Sequence, residues 1–186
     1  MVKLTKIYTR GGDGGDSGLV DGSRLSKNHI RFQAIGDIDE ANATIGFARA
    51  AVIMGSAADR FLAGVQNDLF DLGADVATPG EIEGALRLSD GRAAIIEAEI
   101  DALSEQLGLL TSFVLPGGSE AAARLHMART QVRRAERTVV QLNRESPLNP
   151  EILKYINRLS DLLFQLARAE NDMGKGDILW TPGGSA

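Results

Sequence analysis

Apolar side chains recur along most of this chain at alternating steps of three and four, the spacing that lines one face of an α-helix. The first run is Ile38, Ala41, Ile45, Ala48 and Val52. Asp37 precedes it with Glu40 three positions on, which predicts a capped helix start at Asp37. A second stripe, Phe61, Val65, Leu69, Leu72 and Val76, should stop at Thr78-Pro79-Gly80, because proline disfavours helix in the residue before it. After a polar linker to Ser89, Ile96, Ile100, Leu103 and Leu107 predict a third helix with Gly108 as its stop. The fourth is the longest, expected over 119–143, with Ser119 as cap and Leu125, Ala128, Val132, Ala135, Val139 and Leu142 as its seam. The fifth opens on Asn149 and Pro150 and carries Ile152, Tyr155, Leu159, Leu162, Leu166 and Ala169. Five such seams predict an all-α protein, a five-helix antiparallel bundle.

The ends of the chain break this pattern. Residues 9–18 read Thr-Arg-Gly-Gly-Asp-Gly-Gly-Asp-Ser-Gly, with no helical period, so a Gly-rich N-terminal loop or disordered arm is expected. The expected division is a single domain, with an arm over 1–36, a helical bundle over 37–172 and a tail over 173–186. The tail holds the only tryptophan, Trp180, and is expected to fold back on the body. A hydrophobic content of 44% in 186 residues is enough for one core. The net charge of −5 argues against a nucleic-acid or acidic-membrane partner, which calls for a broadly positive face. The lack of cysteine excludes disulfides, thiolate catalysis and Cys-based zinc sites. Residues 1–10 show no apolar run of signal-peptide length, and the expected location is cytoplasmic.

Chemistry concentrates on the fourth helix. Beside its seam lies a face with His126, Arg129, Arg133, Arg134, Glu136 and Arg137. Arg129, Arg133 and Arg137 are four apart, so their charges repel unless anions or carboxylates neutralise them. A polyphosphate suits such forks of donors, and Glu136 could fix one arginine or help carry magnesium. A solvated, salt-bridged helix face is the competing reading. The fifth helix adds Asn157, Asp161, Phe164, Arg168 and Asn171 in a second polar stripe, readable as a site wall, a subunit interface or structural ion pairs of Asp161 and Arg168. The glycine-rich arm with Lys27 beyond it could wrap phosphates, although it lacks the order of a P-loop. The two histidines, His29 and His126, lack the spacing of a zinc pair.

In order, these motifs resemble the PduO-type corrinoid adenosyltransferases. The matching blocks are Lys6-Ile7-Tyr8-Thr9-Arg10 with the Gly/Asp loop, Asp39-Glu40, Phe113-Val114-Leu115-Pro116-Gly117-Gly118, Arg133-Arg134-Ala135-Glu136-Arg137, and Tyr155-Ile156-Asn157-Arg158-Leu159-Ser160-Asp161. The resemblance implies transfer of the adenosyl group of ATP to cob(I)alamin with release of triphosphate, in a homotrimer with inter-subunit sites. It implies that ATP is held by Thr9, Arg10, Gly11, Gly12, Ser17, Gly18 and Lys27 of the arm and by Arg133, Arg134, Ala135, Glu136, Arg137 and Asn157 of the helices, with Mg²⁺ on the phosphates near Glu136. It also implies that Phe113 meets the corrinoid and displaces the lower axial ligand of cobalt, while Arg129 and Asp39 form an ion pair across subunits. A reductase or a cobalamin-dependent enzyme is the implied kind of protein partner.

This sequence departs from the family pattern in its extra glycines from Gly11 to Gly15, where relatives often carry Thr or Asn at the first position. More chain entropy is lost on ordering such a loop, so weaker ATP affinity is expected. A helical carrier that holds ATP or a corrinoid without turnover is the alternative of another class, and a purely structural bundle is a third.

Overall fold

The computed structural model describes residues 7–184. Lys6, which opens the first matched block, and the outer ends of the arm and tail lie outside them. Two short strands, β1 (Asp16–Gly18) and β2 (Arg24–Ser26), precede five helices: α1 (Ile30–Arg49), α2 (Ala57–Val76), α3 (Arg92–Gln106), α4 (Glu120–Glu145) and α5 (Pro150–Ala169). The helices form an antiparallel bundle. Its centre is α4, which packs on α1 and α5; α2 lies on α1 and α3 on α5. All six seam positions expected on α4 are buried, and of those on α5 all but Ala169 are.

Helix ends follow local chemistry. Ser119 Oγ accepts from the Ala122 amide at 3.1 Å, and Asn149 Oδ1 accepts from the Glu151 amide at 3.0 Å with Pro150 in the first turn. No side chain of its own caps α3; Glu151 of α5 accepts the Ala93 amide at 2.9 Å instead. The carbonyls ending α2 meet Arg31, whose Nη1 donates to Val76 O at 2.5 Å.

The expected start of α1 is corrected. The helix begins at Ile30, capped by His29 Nδ1, rather than at Asp37. Asp37 lies inside it and is buried, accepting from Thr138 Oγ1 at 2.5 Å and from Arg134 at 3.1 Å. Its carboxylate therefore ties α1 to α4 and does not cap a helix. The arm is also more ordered than a loop: β1 and β2 pair antiparallel, with Ser17 opposite Leu25. Asp21 accepts both the amide and hydroxyl of Ser23 in the connecting turn, and these bonds lower its carboxyl pKa. The Val20 amide donates to Ala77 O at 3.1 Å, anchoring the hairpin to the end of α2.

Tyr155 is fully buried and its hydroxyl donates to Asp68 at 3.0 Å, while Asp68 also pairs with Arg92. Burial and the adjacent carboxylate push the phenol far up, so it stays a donor. Tyr155→Phe leaves a buried carboxylate short of one donor and is expected to lower unfolding free energy by about 1–3 kcal/mol. Urea denaturation checks this; an unchanged midpoint would show that water replaces the hydroxyl at no cost.

Candidate nucleotide and corrinoid site

Three groups of predicted residues are built by different parts of the fold. On α4, Arg133 and Arg137 are exposed, and Arg137 Nη1 donates to Arg133 O at 3.1 Å. Among the described residues neither forms an ion pair, and the nearest acidic influence on Arg133 is Asp161, which shares a cleft with it. Glu136 accepts from Asn157 Nδ2 at 2.8 Å, and Asn157 Oδ1 in turn accepts from Arg158 at 2.5 Å. Arg158 also pairs with Glu97 of α3 at 2.8 Å. This chain of bonds sets Glu136 and Asn157 side by side between α4 and α5. A cleft of about 180 Å³ adjoins it, lined by Arg129, Arg133, Asp161 and Phe164 among others. Burial raises the Asp161 pKa, with Arg158 and Arg133 pulling it down and Glu136 adding to the rise.

Other predicted residues have different surroundings. Arg134 points to α1 and pairs with Asp37 and Glu40, each at 3.1 Å. Ala135 is 2% exposed and belongs to the core. Arg129 is partly buried, its Nε has no hydrogen-bond partner among the described residues, and burial followed by Arg133 lowers its pKa. Asp39 is exposed on α1, and within the chain no ion pair joins it to Arg129 among the described residues. Arg168 pairs with Asp177 at 2.9 Å, both nearly buried, so it belongs to the anchor of the tail, while Asp161 forms no ion pair among the described residues.

His126 is 1% exposed and neither ring nitrogen has a hydrogen-bond partner among the described residues. Burial first, then Arg129, hold its imidazole below the ordinary 6.5, against a smaller upward pull from Asp177. Because the folded-state value is the lower one, this histidine's contribution to stability is complete above about 6.5 and is lost as pH falls from there toward the folded value. His126→Leu is expected to flatten the fall of Tm between about pH 7 and about pH 5.5. An identical slope in wild type and variant would contradict the assignment.

The second group is the arm. Thr9, Arg10, Gly11 and Gly18 are exposed, and Gly12 and Ser17 partly so. Arg10 has a left-handed φ of 62° and its guanidinium stacks on Tyr8, 5.7 Å from the ring centre. A Cβ on Gly12 would lie 2.8 Å from Lys27 Nζ, so the glycine lets the ammonium rest against the turn. Arg24, which the sequence reading passed over, donates to Gly11 O at 2.6 Å and Asp16 O at 3.0 Å. No hydrogen bond or ion pair among the described residues joins this arm to Arg133, Glu136, Arg137 or Asn157 of the same chain.

The third group surrounds Phe113, 78% exposed. The tail folds back as expected: Val114 bridges Leu179, the Leu115 amide donates to Ile178 O and the Trp180 amide to Phe113 O, each at 2.7 Å. Trp180 meets the Phe113 ring edge-on at 5.9 Å between centres. Asn171 fastens the start of α4 by accepting from the Ser119 amide at 2.9 Å. Gly118, at φ 99°, has no room for a Cβ, which would fall 2.2 Å from Asn171 Oδ1.

Comparison with known proteins places this geometry. The family model for cobalamin adenosyltransferase matches residues 7–170. A corrinoid adenosyltransferase of Mycobacterium tuberculosis is 47% identical over 188 residues, covering 98% of this chain and 96% of its own. One from Bacillus subtilis is 40% identical over 177 residues, covering 93% and 91%. A solved structure of a phenylalanine-to-alanine variant of the PduO-type ATP:corrinoid adenosyltransferase from Lactobacillus reuteri, complexed with cobalamin and ATP, matches with a TM-score of 0.88 at 36% identity, covering 94% of this chain and 99% of that one. With its five-helix bundle, arginine-bearing α4 and presented phenylalanine, the chain belongs to the PduO-type corrinoid adenosyltransferase family.

Proposed function

We infer that this protein transfers the 5′-deoxyadenosyl group of ATP to the cobalt of cob(I)alamin or another reduced corrinoid, releasing triphosphate. The observation that carries this reading is the face of α4, where Arg133 and Arg137 stand one turn apart and, among the described residues, form no ion pair. Such a face is stabilised by a polyanion, and ATP supplies one. In the reaction, the Co(I) electron pair attacks the ribose C5′ carbon, and the C5′–O bond breaks with its electrons going to triphosphate. No proton has to move, which fits a site without cysteine or a paired histidine base. Charge grows on the departing oxygen, so Arg133, Arg137 and Lys27 stabilise the transition state more than the ground state.

Ala135 sits in the core and Arg134 is committed to α1, so their part is to fix the helix, while Arg133, Glu136, Arg137 and Asn157 make the direct grip. Magnesium would be carried mainly by the phosphates with Glu136 nearby. One carboxylate plus phosphate oxygens suits that ion, and the described residues contain no cluster of three acidic or histidine ligands. Bound there, the ion would neutralise phosphate charge.

No hydrogen bond or ion pair among the described residues joins the arm to the helix face, and the proposed assembly is a homotrimer in which the arm of one copy closes over α4 of the next. Thr9, Arg10, Gly11, Gly12, Ser17, Gly18 and Lys27 then complete the ATP site. Asp39 of an adjacent copy would neutralise the unpartnered Arg129. Phe113 would take the place of the lower axial donor of cobalt. The described residues contain no helix long and apolar enough to cross a membrane, and the reading places the enzyme in the cytoplasm.

Incubating the protein with ATP, Mg²⁺ and chemically reduced cobalamin tests the activity. Adenosylcobalamin and triphosphate in equal amounts support it; binding of ATP or corrinoid without consumption of ATP would make the protein a carrier.

A further inference from the structure

We propose that Arg24 is a positioning residue of the nucleotide loop, clamping the glycine-rich turn into its ligand-ready shape before ATP arrives. The proposal rests on the adenosyltransferase reading for its ligand, and on geometry for the clamp. Arg24 stands on β2 opposite Gly18 of β1, and its Nη2 spans the turn to reach carbonyls on both limbs, Gly11 O at 2.6 Å and Asp16 O at 3.0 Å. These two bonds close residues 11–16 into a ring through one planar guanidinium. Because the peptide unit is rigid, drawing the Gly11 carbonyl onto Arg24 turns the Gly12 N–H the other way.

The rest of the turn depends on that closure. Within it, the Asp13 amide donates to Arg10 O at 3.3 Å and the Gly15 amide to Gly12 O at 3.1 Å, while the Lys27 amide donates to Gly15 O at 2.8 Å. Lys27 Nζ lies against Gly12. Two cations therefore bracket the turn in different roles: Lys27 offers charge to a phosphate, and Arg24 spends its donors on the backbone. Arg24 has no acidic partner among the described residues, so its Nη2 is not diverted from the two carbonyls.

The clamp also revises the expectation drawn from the extra glycines. A loose Gly-rich turn loses more entropy on binding. A turn closed by Arg24 and anchored to α2 through Val20 has lost much of that entropy already, and binding costs correspondingly less.

The test uses the full chain with two independent readings. In ligand-free protein, Arg24→Ala should speed amide hydrogen exchange at Asp13 and Gly15 by about tenfold without a change in Tm. In steady state, it should raise KM for ATP by about five- to tenfold, with kcat and the corrinoid KM held within about twofold. Arg24→Lys, which has charge but no planar fork, should recover only part of each effect. Unchanged exchange in ligand-free Arg24→Ala would overturn the clamp whether or not the enzyme reading stands. Faster exchange with an unchanged ATP KM, or a corrinoid KM that rises in step, would overturn the positioning role. If wild-type protein binds no ATP in calorimetry, the adenosyltransferase reading falls, and the exchange result still decides the clamp.

Discussion

Arg133→Ala is expected to lower kcat for adenosyl transfer about 10²–10³-fold, the usual cost of removing a donor aimed at charge that develops in the transition state. Arg133 is exposed and forms no ion pair among the described residues, so Tm should hold when its side chain is removed. Arg133→Lys retains charge without the fork and should recover part of the loss. The neighbouring Arg134 gives the contrast: its bonds to Asp37 and Glu40 hold α4 to α1, and its removal should change kcat far less. Single-turnover transfer to preformed Co(I), together with thermal melts, checks both variants. If Tm and kcat of Arg133→Ala fell together, the residue would be a strut and the phosphate grip would lie elsewhere.

Phe113→Ala is expected to lower adenosylation that starts from base-on Co(II) by about 10²-fold, roughly 3 kcal/mol, while transfer to preformed Co(I) changes only a few-fold. The ring is exposed, yet its backbone is held by the Trp180 amide and by the bridge between Val114 and Leu179. A ring held rigidly can occupy the space below cobalt where the axial base sits, and loss of that donor makes Co(II) easier to reduce. Alanine leaves the space open for the base to return. The absorbance and electron paramagnetic resonance of enzyme-bound Co(II) would report this directly: a four-coordinate signal in wild type and a five-coordinate one in the variant. Equal losses on both routes would mean that Phe113 only holds the corrinoid.

Much of this architecture was legible in the sequence where one rule governs. The α4 and α5 seams are regular because these helices bury a stripe against several neighbours, and the caps at Ser119 and Asn149 are where side-chain chemistry requires them. Helix α1 was legible only in its second half. Its first turns carry Arg31, which belongs to no apolar stripe, and Asp37, which reads as a cap; both are buried through partners distant in sequence, Val76, Ser146 and Thr138. Such pairing leaves no periodic trace. The arm hairpin was illegible for another reason: strands of three residues among glycines are too short for an alternating pattern. Arg168 was legible as a structural ion-pair residue but its partner was not, since Asp177 lies in the tail. The candidate site was legible as the arginine spacing on α4, whereas Arg24 was not, because a side chain bonding to backbone carbonyls carries no residue-type signature at its target.

The central claim is that the arm of one copy and α4 of another grip the same ATP, and co-expressing Lys27→Ala with Arg133→Ala tests it most directly. Each variant alone should be nearly inactive. In randomly mixed trimers with sites shared between neighbours, about one quarter of the sites combine an intact arm with an intact helix face, so activity should return to about that fraction of wild type. No recovery in verified mixed trimers would place both halves of the site in a single chain and contradict the account.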